Sequence, residues 1–559
     1  MIELETVVLT AVVVLLLHVF LRRYALADRL NGGSVLPQPH RQPPSAPGWL
    51  PLLGHALSYK RNPAAFLTEQ HMRHGAVSLD LAGFRTVVVS DKDAVRQVMN
   101  SSESVLSEKE AVSDFGFLEA LGELCVYVAV SAHKRILKGV LHPTNADMSQ
   151  LVEAAQSAVA AELPDDSGTM DVLPTMRRIM LRMTLTFAVS PAILRLYPAL
   201  MDEYMHFQDK LEDAIAATAV LPKALARPLK LAPIARLRKT LTAKLAAAIS
   251  RLWEQAESDA AAEADDWVDV SQEMMLGVWL TELRGTDLSE LPGWKEYMAC
   301  SGATEDNACT GPITPDAAAQ IVISLLFAAH KNPAIGAGQT LLMVLEHPAD
   351  IHLIETELAA FVLDSDTLAK FEASDDLSPS QQAARSKAFR AEVGARDVLE
   401  ESLLHLGCCI SEACRRTAHT LGAIRKVMTP AGFEFSCGKE LKYWVPANTY
   451  IAVSHVAVSL DTSIFPQADS FHPCRFKSAE DGLIPHCKYT EYEYTVFSQG
   501  LHRCPGQFLA MNMMKAVLVV LLDKFKVEKA TDTFPPVDFS RATLGQRAGP
   551  CLVRYTAQR

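Results

Sequence analysis

The sequence predicts a mainly α-helical domain with small β-sheets, carried behind a single N-terminal transmembrane helix. Three observations lead there. An apolar run from Thr6 to Leu21 opens the chain and is followed at once by Arg22-Arg23. From about residue 92 to 430, Ala, Leu, Met and Glu recur at helical spacing with Pro or Gly between segments. Short stretches on either side of that block read as strands: Val77 to Leu81 and Thr86 to Ser90 as a hairpin, then Phe433 to Phe435, Leu441 to Val445 and Tyr450 to Ser454.

The apolar run is broken only by Thr10 and His18. With its flanks it approaches the roughly 20 residues of one bilayer crossing. A secretory signal peptide has a similar apolar length but a basic start; here Glu3 and Glu5 precede the run and the arginines follow it. The positive-inside rule then places everything after Arg23 in the cytosol. The expected organisation is an anchor over residues 1–24 in the endoplasmic reticulum membrane, a proline-rich hinge over 25–54, and one large domain over 55–559. Within that domain, Leu377 to Arg396 is polar and reads as a loop, and Gln507 to Phe525 reads as a long apolar helix leading into a β tail.

Composition narrows the function. At 559 residues and 49% hydrophobic content the chain can bury a large core. A net charge of -12 and the lack of a basic stripe with interleaved aromatics argue against a nucleic-acid partner. The eleven cysteines are odd in number, scattered and without a CxxC pair. That disfavours both a disulfide framework and structural zinc.

The richest stretch is Phe497-Ser-Gln-Gly-Leu-His-Arg-Cys-Pro-Gly506. It places Cys504 at a helix entrance, with Pro505 at the first helical position, where a missing N–H costs nothing. The positive helix end favours a thiolate. Gly500 and Gly506 allow close backbone packing around the sulfur, and Phe497 can shield it. This FxxGxHxCxG run resembles the haem-binding signature of cytochromes P450. The resemblance implies the cytochrome P450 fold, a haem b whose iron takes Cys504 as axial ligand, and a hydrogen bond from His502 to a haem propionate. A thiolate ligand donates electron density through the iron and favours O–O cleavage.

Further segments match that family in order. Glu412-Ala-Cys-Arg415 is an ExxR on a helix, where residues three apart share a face. Phe471-His-Pro-Cys-Arg-Phe476 resembles the family's FxPxRF element, so Arg475 is expected to complete a structural triad with Glu412 and Arg415. Arg425 lies at the offset where sterol 14-demethylases carry a propionate partner. Arg135 and Lys138 fall where the family's early helix supplies a basic residue to the cofactor.

The stretch Ala328-Ala-His-Lys-Asn-Pro333 departs from the family pattern. Lys331 stands at the usual acid and Asn332 at the usual threonine, so Asn332 and His330 are the candidate catalytic residues of a rerouted proton relay. Pro333 is expected to kink the helix and free the Ala329 carbonyl. Asparagine at this place resembles prostacyclin synthase and the bile-acid 7α-hydroxylase group.

The resemblance implies a membrane-bound monooxygenase that inserts oxygen into a bulky lipophilic substrate, such as a terpenoid, sterol or polyketide, in secondary metabolism. Electrons would come from NADPH through a cytochrome P450 reductase. The alternatives are an oxygen-independent isomerase or dehydratase and a degenerate haem-binding member. Phe115, Phe117, Leu121, Phe327 and Ala328 are the expected substrate contacts.

Overall fold

The structure, a computed structural model, describes residues 41–50, 54–81, 84–129, 132–134, 137, 148–218, 226–262, 288–290, 294–295, 297, 313–359, 403–438, 441–477, 492–540 and 543–558. The expected anchor, the first part of the hinge and the polar loop Leu377 to Arg396 lie outside these residues. Among the described residues no helix is long and apolar enough to cross a membrane.

The chain opens with α1 (Ala56–Arg61), α2 (Pro63–His74), β1 (Ala76–Leu81), β2 (Phe84–Val89), α3 (Lys92–Asn100), β3 (Leu106–Ser107), α4 (Glu108–Asp114) and α5 (Phe117–Leu121). A helical middle follows: α6 (Met148–Glu162), the short β4 (Ser167–Asp171), α7 (Val172–Ala188), α8 (Pro191–Leu196), α9 (Leu200–Thr218), α10 (Ala232–Ala262), α11 (Pro315–Ala329), α12 (Lys331–Glu346) and α13 (Pro348–Ala359). The last part holds α14 (Leu404–Arg416), β5 (Gly422–Val427), β6 (Phe433–Cys437), β7 (Leu441–Val445), β8 (Tyr450–Val453), α15 (His455–Ser459), α16 (Gln507–Lys524), β9 (Phe525–Lys529), β10 (Val537–Asp538), β11 (Gln546–Arg547) and β12 (Leu552–Ala557).

Local chemistry sets the helix ends. Asn62 caps α2 by accepting from the Ala65 amide at 3.1 Å, Pro63 occupies its first position, and Gly75 closes it in the left-handed region. Asp91 caps α3 through the amides of Asp93 and Ala94. Thr314 and Pro315 do the same for α11.

The expected hairpin forms, with β1 antiparallel to β2 and Ala76 opposite Val89. It joins a five-stranded sheet in the order β1-β2-β8-β5-β3. The β2–β8 pair is parallel and brings Thr86 beside Tyr450, more than 300 residues away in sequence. The described part of the proline-rich stretch, residues 41–50, lies along this sheet. The Ala46 amide donates to Ser78 O at 3.0 Å, and the Ser78 amide donates to Pro44 O at 2.8 Å. Proline leaves carbonyls that still accept, so a stiff strand can line an edge. Two strands within the expected helical block, β3 and β4, carry no sequence signal: β3 has two residues, and β4, Ser-Gly-Thr-Met-Asp, holds a single apolar one and so shows no alternation. β4 is held by β12 from the far end of the chain.

The main core is helical, with α12 packed on α7, α14 and α16, and α16 also packed on α6. The central helix is interrupted at His330, between α11 and α12 and three residues before Pro333. The hydrogen-bond ladder resumes when the Ala334 amide donates to His330 O at 2.9 Å.

Two histidines are buried neutral in this core. His133 Nε2 donates to Ile321 O at 3.1 Å, and burial pushes the imidazole down to about 4. His330 is fully buried and pushed down to about 3 by the same cause. In the unfolded chain each titrates near 6.5. As pH falls below 6.5 the unfolded state therefore takes up protons that the native state refuses, and stability is lost down to about pH 4 for His133. Each site is expected to cost roughly 3 kcal/mol over that window. Urea unfolding at pH 7 and pH 4.5 measures the loss, and His133→Gln should flatten the profile.

Candidate functional site: the Cys504 loop and its supports

The loop from Tyr492 to Gly506 is bent into a tight hook. Ser498 and Gly500 both take positive φ, 56° and 66°, and the Cys504 amide donates back to Phe497 O at 2.8 Å. A Cβ at Gly500 would lie 2.5 Å from Met99 O at the end of α3, so this position needs glycine. Gly506 differs: a Cβ there would meet only Leu137 Cδ1 at 3.8 Å. The expected close packing therefore holds at Gly500 and not at Gly506.

The helix entrance also differs in detail. α16 starts at Gln507 with Gly506 as its cap, so Cys504 and Pro505 sit in the turn before it. The half-buried Cys504 sulfur still faces the amides of Gly506 and Gln507. Burial pushes its thiol up; the Gly506 amide, the Arg503 charge and the Gln507 amide offset this only in part. The helix end alone thus does not make a thiolate here, and a bound cation is what would complete the ionisation. Phe497 is half-buried between the main core and the small cluster of Cys408, Phe476 and Tyr494.

Behind the loop the triad is assembled. Arg415 grips Glu412 through two bonds of 2.8 Å, and Arg475 Nε reaches the same carboxylate at 3.2 Å. Glu412 and Arg415 are wholly buried and Arg475 nearly so. The spare donors hold backbone: Arg415 bonds Ser459 O and Ala468 O, and Arg475 bonds Pro466 O and Gln467 O. Tyr494 OH donates to Ser411 O at 3.1 Å, which ties the cysteine loop to α14.

Arg425 sits in β5, 1% exposed, with Nη1 bonded to Ile424 O at 3.0 Å and Nε without a partner among the described residues. His502 lies in the short 3-10 turn before Cys504. Its Nδ1 is 2.6 Å from Glu108 and its Nε2 3.3 Å from Glu103. Glu108 also stands 3.6 Å from Arg425 Nη1. Sequence reasoning missed Glu108; its only signal was the Ser107 cap of α4, which marks a helix start and not a partner for residues some 320 or more positions away. Arg135 and Lys138 lie outside the described residues.

On the central helix, Ala328 is exposed and Asn332, one turn on, is half-buried. The intervening His330 and Lys331 are buried on other sides. His330 bonds Leu326 O at 2.9 Å and sets its ring edge against Tyr204, away from the Ala328–Asn332 face. Lys331 reaches Glu212 at 2.5 Å and Asp209 at 3.6 Å on α9. Asn332 Oδ1 accepts from the Leu544 amide at 3.3 Å. Phe117 meets Phe327 edge-on at 6.2 Å, whereas Phe115 stacks on Phe84 and Leu121 belongs to the core.

A lone soft sulfur ringed by amides, with an under-partnered buried guanidinium and an imidazole close by, suits a metal macrocycle that carries carboxylates. A haem-thiolate site is a group of this kind. Comparison with known proteins agrees: residues 403–552 match the family model for cytochrome P450. Cytochrome P450 monooxygenase avaH of Aspergillus versicolor is 31% identical over 110 residues, 19% of this chain and 23% of its own. Cytochrome P450 3A13 of Mus musculus is 28% identical over 116 residues, 21% of this chain and 22% of its own. Cytochrome P450 monooxygenase sttB of Aspergillus terreus is 29% identical over 118 residues, 20% and 22%. The chain thus spans about a quarter of the length of the curated relatives it matches. The likeness to cytochromes P450 thus rests on this C-terminal part of the chain.

Two substitutions test the supports. Glu412→Gln leaves two buried guanidiniums without their carboxylate and should cost about 3–5 kcal/mol in denaturant unfolding. Gly500→Ala, strained in φ and pressed on Met99 O, should cost about 1–3 kcal/mol by the same measurement.

Proposed function

We propose that the protein is a membrane-anchored haem-thiolate monooxygenase that oxygenates a bulky lipophilic substrate in secondary metabolism. The observation that carries this reading is the Cys504 sulfur, presented to the amides of Gly506 and Gln507 in a loop tied to the buried Glu412–Arg415–Arg475 triad. When bound, a haem supplies dioxygen activation and oxygen insertion into a C–H or double bond. Cys504 supplies its anionic ligand. Arg425, with Nε to spare, and His502 supply donors for its carboxylates.

The Ala328–Asn332 face is the substrate side. The Leu544 amide engages the Asn332 oxygen and leaves its NH2 group to donate there. Lys331 is tied to Glu212 and His330 to Leu326 O, so neither side chain takes part at that face. Phe117 and Phe327, in contact with each other, bound an apolar substrate. The fungal relatives whose printed names include cytochrome P450 monooxygenase support the oxygenase reading over others.

An NADPH-dependent reductase would dock on the Cys504 side, where Leu501 is 59% exposed and Arg503 is open. The apolar run Thr6 to Leu21 would hold the protein in the endoplasmic reticulum membrane, with the domain in the cytosol. The amide at Asn332 favours one second reading, an oxygen-independent isomerase acting on a peroxide, since an amide carries protons less well than a hydroxyl.

Expression with a reductase decides between them. The expected result is a thiolate-type band of the reduced carbon monoxide complex and product formation that requires NADPH. Cys504→Ala should abolish both. Turnover of a peroxide substrate without NADPH would replace the first reading with the second, and a variant that keeps the band would sink the ligand assignment.

A further inference from the structure

Glu108 is the first residue of α4, where β3 leaves the five-stranded sheet. Its backbone position is held by two bonds: its own amide donates to Glu103 Oε1 at 3.1 Å, and Ser107 Oγ donates to Glu103 Oε2 at 2.7 Å. From there the side chain reaches the two donors that a haem carboxylate would use, 2.6 Å from His502 Nδ1 and 3.6 Å from Arg425 Nη1. Partial burial pushes the Glu108 carboxyl up, but the His502 hydrogen bond and the charges of Arg425, His502 and Lys134 outweigh it and hold the group below its ordinary value. The side chain keeps 41% of its surface open, so it has room to move.

We propose that Glu108 is the resident carboxylate of a haem propionate site. It holds His502 and Arg425 in place in the cofactor-free chain and gives up at least one of them when a propionate arrives. This inference rests on the haem reading of the Cys504 loop.

The physical argument concerns Arg425. A guanidinium 1% exposed is costly to leave unpaired, and among its described contacts only Glu108 brings it a negative charge. Glu108 relieves that cost whenever the propionate is gone. With the propionate present, two carboxylates compete for the same donors and repel one another across a few ångströms. Glu108 therefore weakens the hold on haem and eases its departure, as an internal competitor. Removing its charge while keeping its size reverses both effects.

The experiment uses the full-length, haem-loaded protein and an excess of a haem-scavenging apoglobin, with the Soret band followed over time. Glu108→Gln should release haem about tenfold more slowly than the wild type, equivalent to ~1.4 kcal/mol. Glu108→Ala, which keeps no polar group, should slow it as well, and Glu108→Asp should stay close to the wild type because the charge is retained. After haem removal, the Gln and Ala variants should melt below the wild type. Release by both neutral variants at the wild-type rate or faster would overturn the proposal. A wild-type chain that takes up no haem would instead overturn the reading of Cys504, and this proposal with it; the two failures are told apart by whether a Soret band forms at all.

Discussion

The carboxylate of Glu412, wholly buried and shared by Arg415 and Arg475, is the contact on which the rest of the site depends. A buried ion is tolerated only when its partners and their spare hydrogen bonds are all satisfied. Here that requirement becomes a construction rule. The donors that Glu412 does not use are spent on the carbonyls of Ser459, Pro466, Gln467 and Ala468. The guanidinium of Arg415 also lies over the Phe465 ring at 5.0 Å. The end of α15 at Ser459 and the irregular stretch Pro466 to Ala468 are fixed in this way against α14. The cysteine loop is tied to the same helix by Tyr494, and His455 Nδ1 meets Thr495 Oγ1 at 2.9 Å on the other side.

A second charged assembly supports the central helix. Lys331, 4% exposed, carries a charge into the central helix just after its break. It is matched by Glu212 and Asp209 on α9, and Asp209 is shared with Arg177 of α7 at 2.7 Å. Burial lowers Lys331, and the carboxylate of Glu212 works against that loss. The network therefore pins three helices where Pro333 has removed a hydrogen bond. Lys331 thus serves helix packing on one side, while Ala328 and Asn332 lie on the other.

Parts of this were legible in the sequence because their signals are local or strongly patterned. The β1–β2 hairpin, the strands β6 to β8 and the helix α16 follow from periodicity, with ends within a residue or two. A break near Pro333 is expected from the proline alone. The spacing of Glu412 and Arg415 needs only one helical turn. Other features depend on what a residue meets across the chain. The cap of α16 is Gly506 rather than Cys504, whose amide is turned back to Phe497 O within the loop. The buried orientation of His330 arises from the rotation of a helix whose two sides are both apolar, so periodicity did not rank them.

What the sequence by itself determined is short-range chemistry: a cysteine ahead of a helix, an imidazole two residues before it, and, on another helix, a carboxylate and an arginine one turn apart. Those are properties of residue type and short spacing, which survive without a fold. Only the tertiary structure decided how charge is apportioned around the cysteine and the imidazole. Burial raises the Cys504 thiol against its helix end, and β5 delivers Arg425 with a nitrogen to spare. Glu108 comes to the same donors through the start of α4, some 320 positions before Arg425 and 390 before His502. Desolvation and long-range ion pairing depend on which surfaces are closed and which distant groups are brought within a few ångströms, and no local pattern encodes either.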